Sequence, residues 1–311
     1  MTSILVVHER PAAASAVADA LESQCPDATV RTATPDDTAA LTDCEVLVTF
    51  ELTADQLAAA PALRWVHALT AGVDDYDLDA LADREILLTN ASGVAARPIA
   101  EQVVGYLLSF ARGIHKGIRM QERGEWDWYG GHELAGSTVG VVGVGAIGSE
   151  IARLCDALGT TVLGVKRTPA EVPGVDELFT PDALDTVLAR SDYLVLACPL
   201  TEETRGLVDA DAFARLPSHA VVVNIARGGI VVEDDLVAAL DAGELRGAAL
   251  DVFETEPLPA SSPLWDRDDV LITPHNAGST PHYWTRNAAI VARNLPLFEQ
   301  GAFDELENRV V

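Results

Sequence analysis

Short apolar runs bounded by turn residues recur along the whole chain. Residues 4–7, 45–48, 86–88, 139–142, 161–165, 193–197, 221–225, 248–250 and 270–272 each have the length and composition of a buried strand. Between them, residues 14–21, 149–158, 182–188 and 233–240 repeat apolar positions at helical spacing. Strands that are apolar throughout, alternating with amphipathic helices, predict parallel sheets covered on both faces. One longer helical pattern, 98–122, opens with Pro98, which a first helical turn tolerates. It separates an N-terminal α/β block from a second one starting near Leu134, and a final amphipathic stretch at 283–299 is expected to return to the first block. The expected organisation is an α/β protein of two Rossmann-like or flavodoxin-like domains with parallel sheets and the active-site cleft between them. The first, discontinuous domain takes residues 1–98 and 285–311, and the second takes 99–284.

Composition narrows the surroundings. Of 311 residues, 48 are acidic and 21 basic, giving a net charge of −27. Only Lys116 and Lys166 are lysine, against 19 arginines. So negative a body repels phosphate backbones, which argues against a nucleic-acid partner. No run approaches the ~18 apolar residues of a membrane span. The acids are scattered in clusters no longer than Asp36-Asp37 or Asp74-Asp75, so they form no acidic tail. Such a charge destabilises a compact chain unless salt screens it, which points to a protein of a high-salt cytosol. The first residues read as a strand rather than a signal peptide, so a cytoplasmic place is expected. Cys25, Cys44, Cys155 and Cys198 lack metal-site spacing and are expected to pack.

Chemistry is concentrated at strand ends. Gly143, Gly145 and Gly148 spell G-x-G-x-x-G after an apolar run and at the start of a helix, the setting that makes this pattern a dinucleotide site. Gly143 serves the tight turn, Gly145 the close approach of a pyrophosphate and Gly148 helix–strand packing; the first helical turn offers N–H groups to the anion. Ala146 and Ile147 belong to that turn. An NAD site normally has an acid at the end of the next strand to bind the ribose 2′-hydroxyl. Here stand Lys166-Arg167-Thr168, the only consecutive pair of basic residues in the chain. Two cations suit a 2′-phosphate, so NADP(H) is the expected cofactor, with NAD(H) as the lesser one. Cys198 and Pro199, past the run 193–197, are further candidate cofactor contacts.

Three later strands run into Ala226-Arg227-Gly228-Gly229, into Asp251-Val252-Phe253-Glu254-Thr255-Glu256-Pro257, and into Thr273-Pro274-His275-Asn276-Ala277-Gly278. In open α/β sheets ligands bind beyond these carboxyl ends, so an arginine, a carboxylate and a histidine converge where a ligand would lie. With the glycine loop, Thr70-Ala71-Gly72-Val73-Asp74 and Asn90-Ala91-Ser92-Gly93-Val94, these motifs make the chain resemble the D-isomer-specific 2-hydroxyacid dehydrogenase family over essentially its whole length. The resemblance implies reduction of a 2-ketocarboxylic acid to a D-2-hydroxyacid, or the reverse, in a homodimer. It implies His275 as acid and base, Glu256 as its partner (Glu254 being the rival) and Arg227 as the holder of the substrate carboxylate. It further implies that the amides of Ala71, Gly72 and Val73 complete carboxylate binding and that Asp251 contacts the nicotinamide side. The shortness of the chain makes phosphoglycerate oxidation a less expected activity. The alternative is a dinucleotide-sensing interaction protein, since corepressors share this fold. Trp126, Trp128, Tyr129, Tyr283 and Trp284 are read as packing, pocket or dimer residues, and the remaining histidines as surface or core.

The charge makes a direct prediction. Thermal stability is expected to rise from low to multimolar KCl, measured by thermal melts across the series; a flat response refutes the high-salt reading.

Overall fold

A computed structural model describes residues 2–73 and 75–311. In chain order its elements are β1 (Ser3–Val7), α1 (Pro11–Gln24), β2 (Thr29–Ala33), β3 (Val46–Thr49), α2 (Ala54–Ala59), β4 (Trp65–Ala68), α3 (Leu78–Asp83) and β5 (Leu87–Thr89). There follow α4 (Ala96–Arg112), α5 (Ile114–Arg123), β6 (Thr138–Val142), α6 (Ala146–Ala157), β7 (Thr161–Val165), β8 (Glu177–Phe179), α7 (Leu184–Leu188) and β9 (Tyr193–Leu196). The chain closes with α8 (Ala210–Arg215), β10 (Val221–Asn224), α9 (Glu233–Asp241), β11 (Gly247–Leu250), β12 (Val270–Ile272) and α10 (Tyr283–Gln300).

The chain divides into two compact units, Met1–Ala95 with Thr280–Val311, and Ala96–Ser279. The divisions fall directly before α4 and a few residues before α10. In the first unit a parallel sheet has the order β2-β1-β3-β4-β5. The interior strands β1, β3 and β4 are apolar almost throughout because both of their faces are covered. One face receives α1 and α10, with Val17, Leu21, Val291 and Phe298 in a shared core. The chain end then adds an antiparallel bridge from Arg309 to Thr89 on β5, with Val310 N–H donating to the Leu88 carbonyl at 2.7 Å.

The second unit holds a parallel sheet of order β12-β11-β10-β9-β6-β7-β8. The strand order reverses between β6 and β9, so the loops after those two strands open a crevice at the carboxyl edge. The expected helix over 98–122 is instead two helices. Gly113 stands between α4 and α5 with φ +65°, a left-handed conformation that ends the first helix and suits glycine. A Cβ there, or at Gly117, would run into the Tyr129 ring, which lies over this face of α5. Strands β2, β4 and β8 were not expected from the pattern. Edge strand β2 mixes threonine and arginine with its apolar residues, β4 carries a histidine, and β8 is three residues long.

That histidine is packed neutral. His67 is wholly buried; its Nε2 lies 3.2 Å from Asn287 Oδ1 and its Nδ1 3.0 Å from Thr89 Oγ1. Since Asn287 donates its amide N–H to the Tyr283 carbonyl, its Oδ1 is free to accept from His67 Nε2–H. Burial, opposed in part by the Asn287 hydrogen bond, lowers the His67 pKa to about 4. The unfolded chain therefore binds a proton near pH 6.5 that the folded chain refuses until about pH 4. Stability is expected to be complete above pH 6.5 and to fall by up to ~3 kcal/mol as pH drops toward 4. The check is the denaturant midpoint against pH, with the share of His67 read as the difference from His67→Gln.

Candidate active site

The glycine loop after β6 separates into two kinds of glycine. Gly143 has φ +97°, and a Cβ on it would overlap the backbone of Cys198 past β9. A Cβ on Gly148 would overlap the carbonyl of Gly143, so α6 packs on the strand only with glycine there. Both are required by the chain's own packing. Gly145 is different: its φ is −94°, it is exposed, and a Cβ would meet nothing within 4 Å. No protein atom explains a glycine here, and the room it leaves lies at the N-terminus of α6, beside exposed Ala146 and half-buried Ile147. That is the fit expected of a dinucleotide pyrophosphate. Cys198 is buried beside the loop, and burial pushes its thiol up. Pro199 next to it is exposed, with its carbonyl accepting the Thr204 hydroxyl at 2.6 Å. All four cysteines are free and buried, and burial raises Cys44 and Cys155 to about 12.

At the end of β7, Lys166 is half-buried, its amide held by the Phe179 carbonyl at 2.9 Å, while Arg167 and Thr168 are exposed. The Glu203 carboxyl lies below its ordinary range, first through the Thr201 hydroxyl and partly through the charge of Arg167.

Parallel pairing brings the other motifs to one edge. Asn224, Leu250 and Ile272 are in register across β10, β11 and β12, so Arg227, Asp251 and Thr273 all follow at the same end. His275 Nδ1 lies 2.7 Å from Glu256 Oε2, and Glu256 Oε1 accepts the Phe253 N–H at 2.9 Å. Glu254, the rival, instead receives a Glu233 carboxylate on its own amide at 2.6 Å, so its backbone rather than its side chain is engaged. Because a carboxylate only accepts, His275 Nδ1 carries a proton and Nε2 is the nitrogen left to gain and lose one. The imidazole is half exposed, with 53% of its side chain open.

Arg227 sits on a turn shaped by Asn224, a residue missed in the sequence. Asn224 is buried, donates to the Arg227 carbonyl at 2.9 Å and accepts the Ala226 N–H at 3.1 Å. Gly228 follows because a Cβ there would occupy the Phe253 carbonyl. Asp251 is 2% exposed, and its hydrogen bonds go to its own chain. It accepts from Thr273 Oγ1 at 2.5 Å and from the amides of Asn276 and Ala277 at 3.0 Å each. These bonds serve the turn that carries His275.

In the first unit, Ala71, Gly72 and Val73 follow β4. Asn90 Nδ2 holds the Ala71 carbonyl and Thr70 Oγ1 the Gly72 carbonyl, both at 2.7 Å. In trans peptides the following N–H groups, of Gly72 and Val73, then face away from those two side chains. Asp74 of the same motif lies outside the described residues. Among the described residues no cluster of three or more His, Cys, Asp or Glu could hold a metal ion.

A family model described as D-isomer specific 2-hydroxyacid dehydrogenase, NAD binding domain, matches residues 104–277. A D-3-phosphoglycerate dehydrogenase of Methanocaldococcus jannaschii is 34% identical over 272 residues, covering 85% of this chain and 51% of that protein. The chain thus spans about half the length of that relative. A D-isomer specific 2-hydroxyacid dehydrogenase from Xanthobacter autotrophicus Py2, solved with NADPH and MES, is similar with TM-score 0.87 and 33% identity, over 100% of this chain and 98% of that one. An NADPH-dependent glyoxylate/hydroxypyruvate reductase from Sinorhizobium meliloti, solved with NADP and sulfate, has TM-score 0.84 and 31% identity, again over 100% and 98%.

The two kinds of glycine are separable by experiment. Gly145→Ala is expected to keep stability within about 0.5 kcal/mol while weakening NADPH binding tenfold or more, whereas Gly143→Ala loses roughly 1–3 kcal/mol of stability. Thermal melts and fluorescence titration check both; a Gly145→Ala protein that binds NADPH normally refutes the assignment.

Proposed function

The chain belongs to the D-isomer specific 2-hydroxyacid dehydrogenase family, and within it we propose an NADP(H)-preferring 2-ketoacid reductase. The observation that carries this is the His275–Glu256 pair at 2.7 Å, at the same sheet edge as Arg227. When bound, the nicotinamide supplies a hydride to C2 of the ketoacid, or removes one from the hydroxyacid. Residues of this chain do the rest. Arg227 holds the carboxylate with its planar donor fork and draws charge onto the ketone oxygen. His275 gives its Nε2 proton to that oxygen, so that hydride and proton together make the 2-hydroxyacid. Glu256 accepts from Nδ1–H and so holds the ring in the orientation that leaves Nε2 for the transfer. In the reverse direction the neutral Nε2 takes the hydroxyl proton. The amides of Ala71, Gly72 and Val73 are assigned to the carboxylate by resemblance, and Asn90 and Thr70 support that by orienting the loop.

NADP(H) preference rests on Lys166 and Arg167 standing where an NAD site has an acid, Arg167 offering a planar fork of donors to a 2′-phosphate and Lys166 a point charge. The solved relatives bound to NADPH or NADP are consistent with that assignment. A homodimer is supported by the exposed apolar residues of one stretch of chain, Trp126 and Trp128 at 98% and 92% exposure with Ile114 and Ile118. The charge of −27 supports a high-salt cytosol. No helix among the described residues is long and apolar enough to cross a membrane.

The test is loss of NADPH absorbance with a panel of 2-ketoacids in concentrated KCl. Turnover with at least one ketoacid is expected, and no loss with any would overturn the reading in favour of a dinucleotide sensor. His275→Ala is expected to lower kcat roughly 10²–10⁴-fold with NADPH affinity unchanged. Tighter binding of NADH than of NADPH would remove the 2′-phosphate assignment.

A further inference from the structure

His275 has φ +49°, in the left-handed region that a non-glycine residue rarely adopts. Something must hold the turn there. The His275 amide donates to the Asp251 carbonyl at 2.8 Å, and the next two amides, of Asn276 and Ala277, donate to the Asp251 carboxylate at 3.0 Å. The position of that carboxylate therefore sets the peptide units on which the imidazole hangs.

The carboxylate is in turn oriented from a helix 145 positions away in sequence. Thr273 Oγ1 donates to Asp251 Oδ1 at 2.5 Å. Having spent its one proton there, that hydroxyl can only accept from its other partner, the Tyr106 hydroxyl on α4. Tyr106 then donates to Thr273 and accepts from Gln102 Nε2, one turn back on α4, at 2.9 Å. Burial pushes the Tyr106 phenol up, which keeps its proton in place for donation. Every proton in the series thus points one way, from Gln102 through Tyr106 and Thr273 to Asp251.

We propose that Tyr106 and Thr273 are positioning residues for the reaction. Their hydroxyls form a directed chain that orients Asp251, and through it the turn that aims His275 Nε2 at the substrate oxygen. This rests on His275 acting as the acid and base proposed above. All members of the chain lie in the second unit, and none of Gln102, Tyr106 and Thr273 was a candidate in the sequence.

Three variants and two readouts test it. Thr273→Val and Tyr106→Phe remove one hydroxyl each with little change of shape, and Thr273→Ser keeps the hydroxyl. For the first two, kcat per folded molecule is expected to fall about tenfold or more, since small misplacement of a reacting group is costly. KM for the ketoacid and Kd for NADPH should stay within about threefold, and Thr273→Ser should restore kcat. Independently of turnover, amide hydrogen exchange at Asn276 and Ala277 should quicken in Thr273→Val and Tyr106→Phe but not in Thr273→Ser. A loss of thermal stability with kcat per folded molecule unchanged, a serine variant that fails to rescue, or unchanged exchange would overturn the proposal. Should Thr273→Val fail to fold, Tyr106→Phe carries both readouts. If the unaltered protein turns over no ketoacid, the functional reading fails, and exchange at the two amides still decides the relay.

Discussion

A carboxylate as deeply buried as Asp251 costs several kcal/mol unless donors surround it. In this chain the donors are the hydroxyl of Thr273 and the amides of Asn276 and Ala277, all on the segment that follows β12. Satisfying the charge and shaping the turn of His275 are therefore one event. The parallel pairing of β11 with β12 makes it possible, because it delivers Asp251 and Thr273 to the same edge in register. Glu256 then meets His275 from the loop after β11, and Arg227 arrives at the end of β10. The acid, the base and the cation share an edge because three adjacent strands run the same way.

Close backbone approach is a second constraint on that edge, and glycine answers it in more than one way. Gly143, Gly148 and Gly228 are glycines because another stretch of backbone occupies the place of a side chain. Gly145 has no such neighbour, and its missing side chain leaves space for something the protein does not itself contain. The G-x-G-x-x-G motif assigns Gly143 to the turn, Gly148 to packing and Gly145 to the approach of a pyrophosphate. Their surroundings distinguish two that build the fold from one that admits a ligand.

The acids are spread over a surface where most ion pairs are exposed, such as Arg31–Asp43 and Arg309–Asp304, and such pairs are worth little each. Against that background Lys166, one of two lysines, is conspicuous by position rather than by interaction. The cations proposed to meet ligands are those at strand ends: Lys166 and Arg167 after β7, and Arg227 after β10.

Much of the fold could be read from local pattern. Interior strands β1, β3, β6, β9 and β10 are apolar runs because both faces are covered, and such runs stand out in any chain. Strand β2, at an edge, and β4, with a histidine made acceptable by Thr89 and Asn287, could not be read that way. The break at Gly113 is made by its left-handed backbone, φ +65°, where a Cβ would also meet the Tyr129 ring. Arg227, Glu256 and His275 were legible as motif members, with Glu254 left as a rival. What the sequence determined by itself was the kind of most elements and the residue types at each strand end, since both reside in neighbouring residues. Only the tertiary structure decided which groups meet: Glu256 rather than Glu254 at His275, Asn224 under Arg227, and Tyr106 and Thr273 behind Asp251. Most of those hydrogen bonds join residues far apart in the chain, and their geometry exists only once the strands are paired in register.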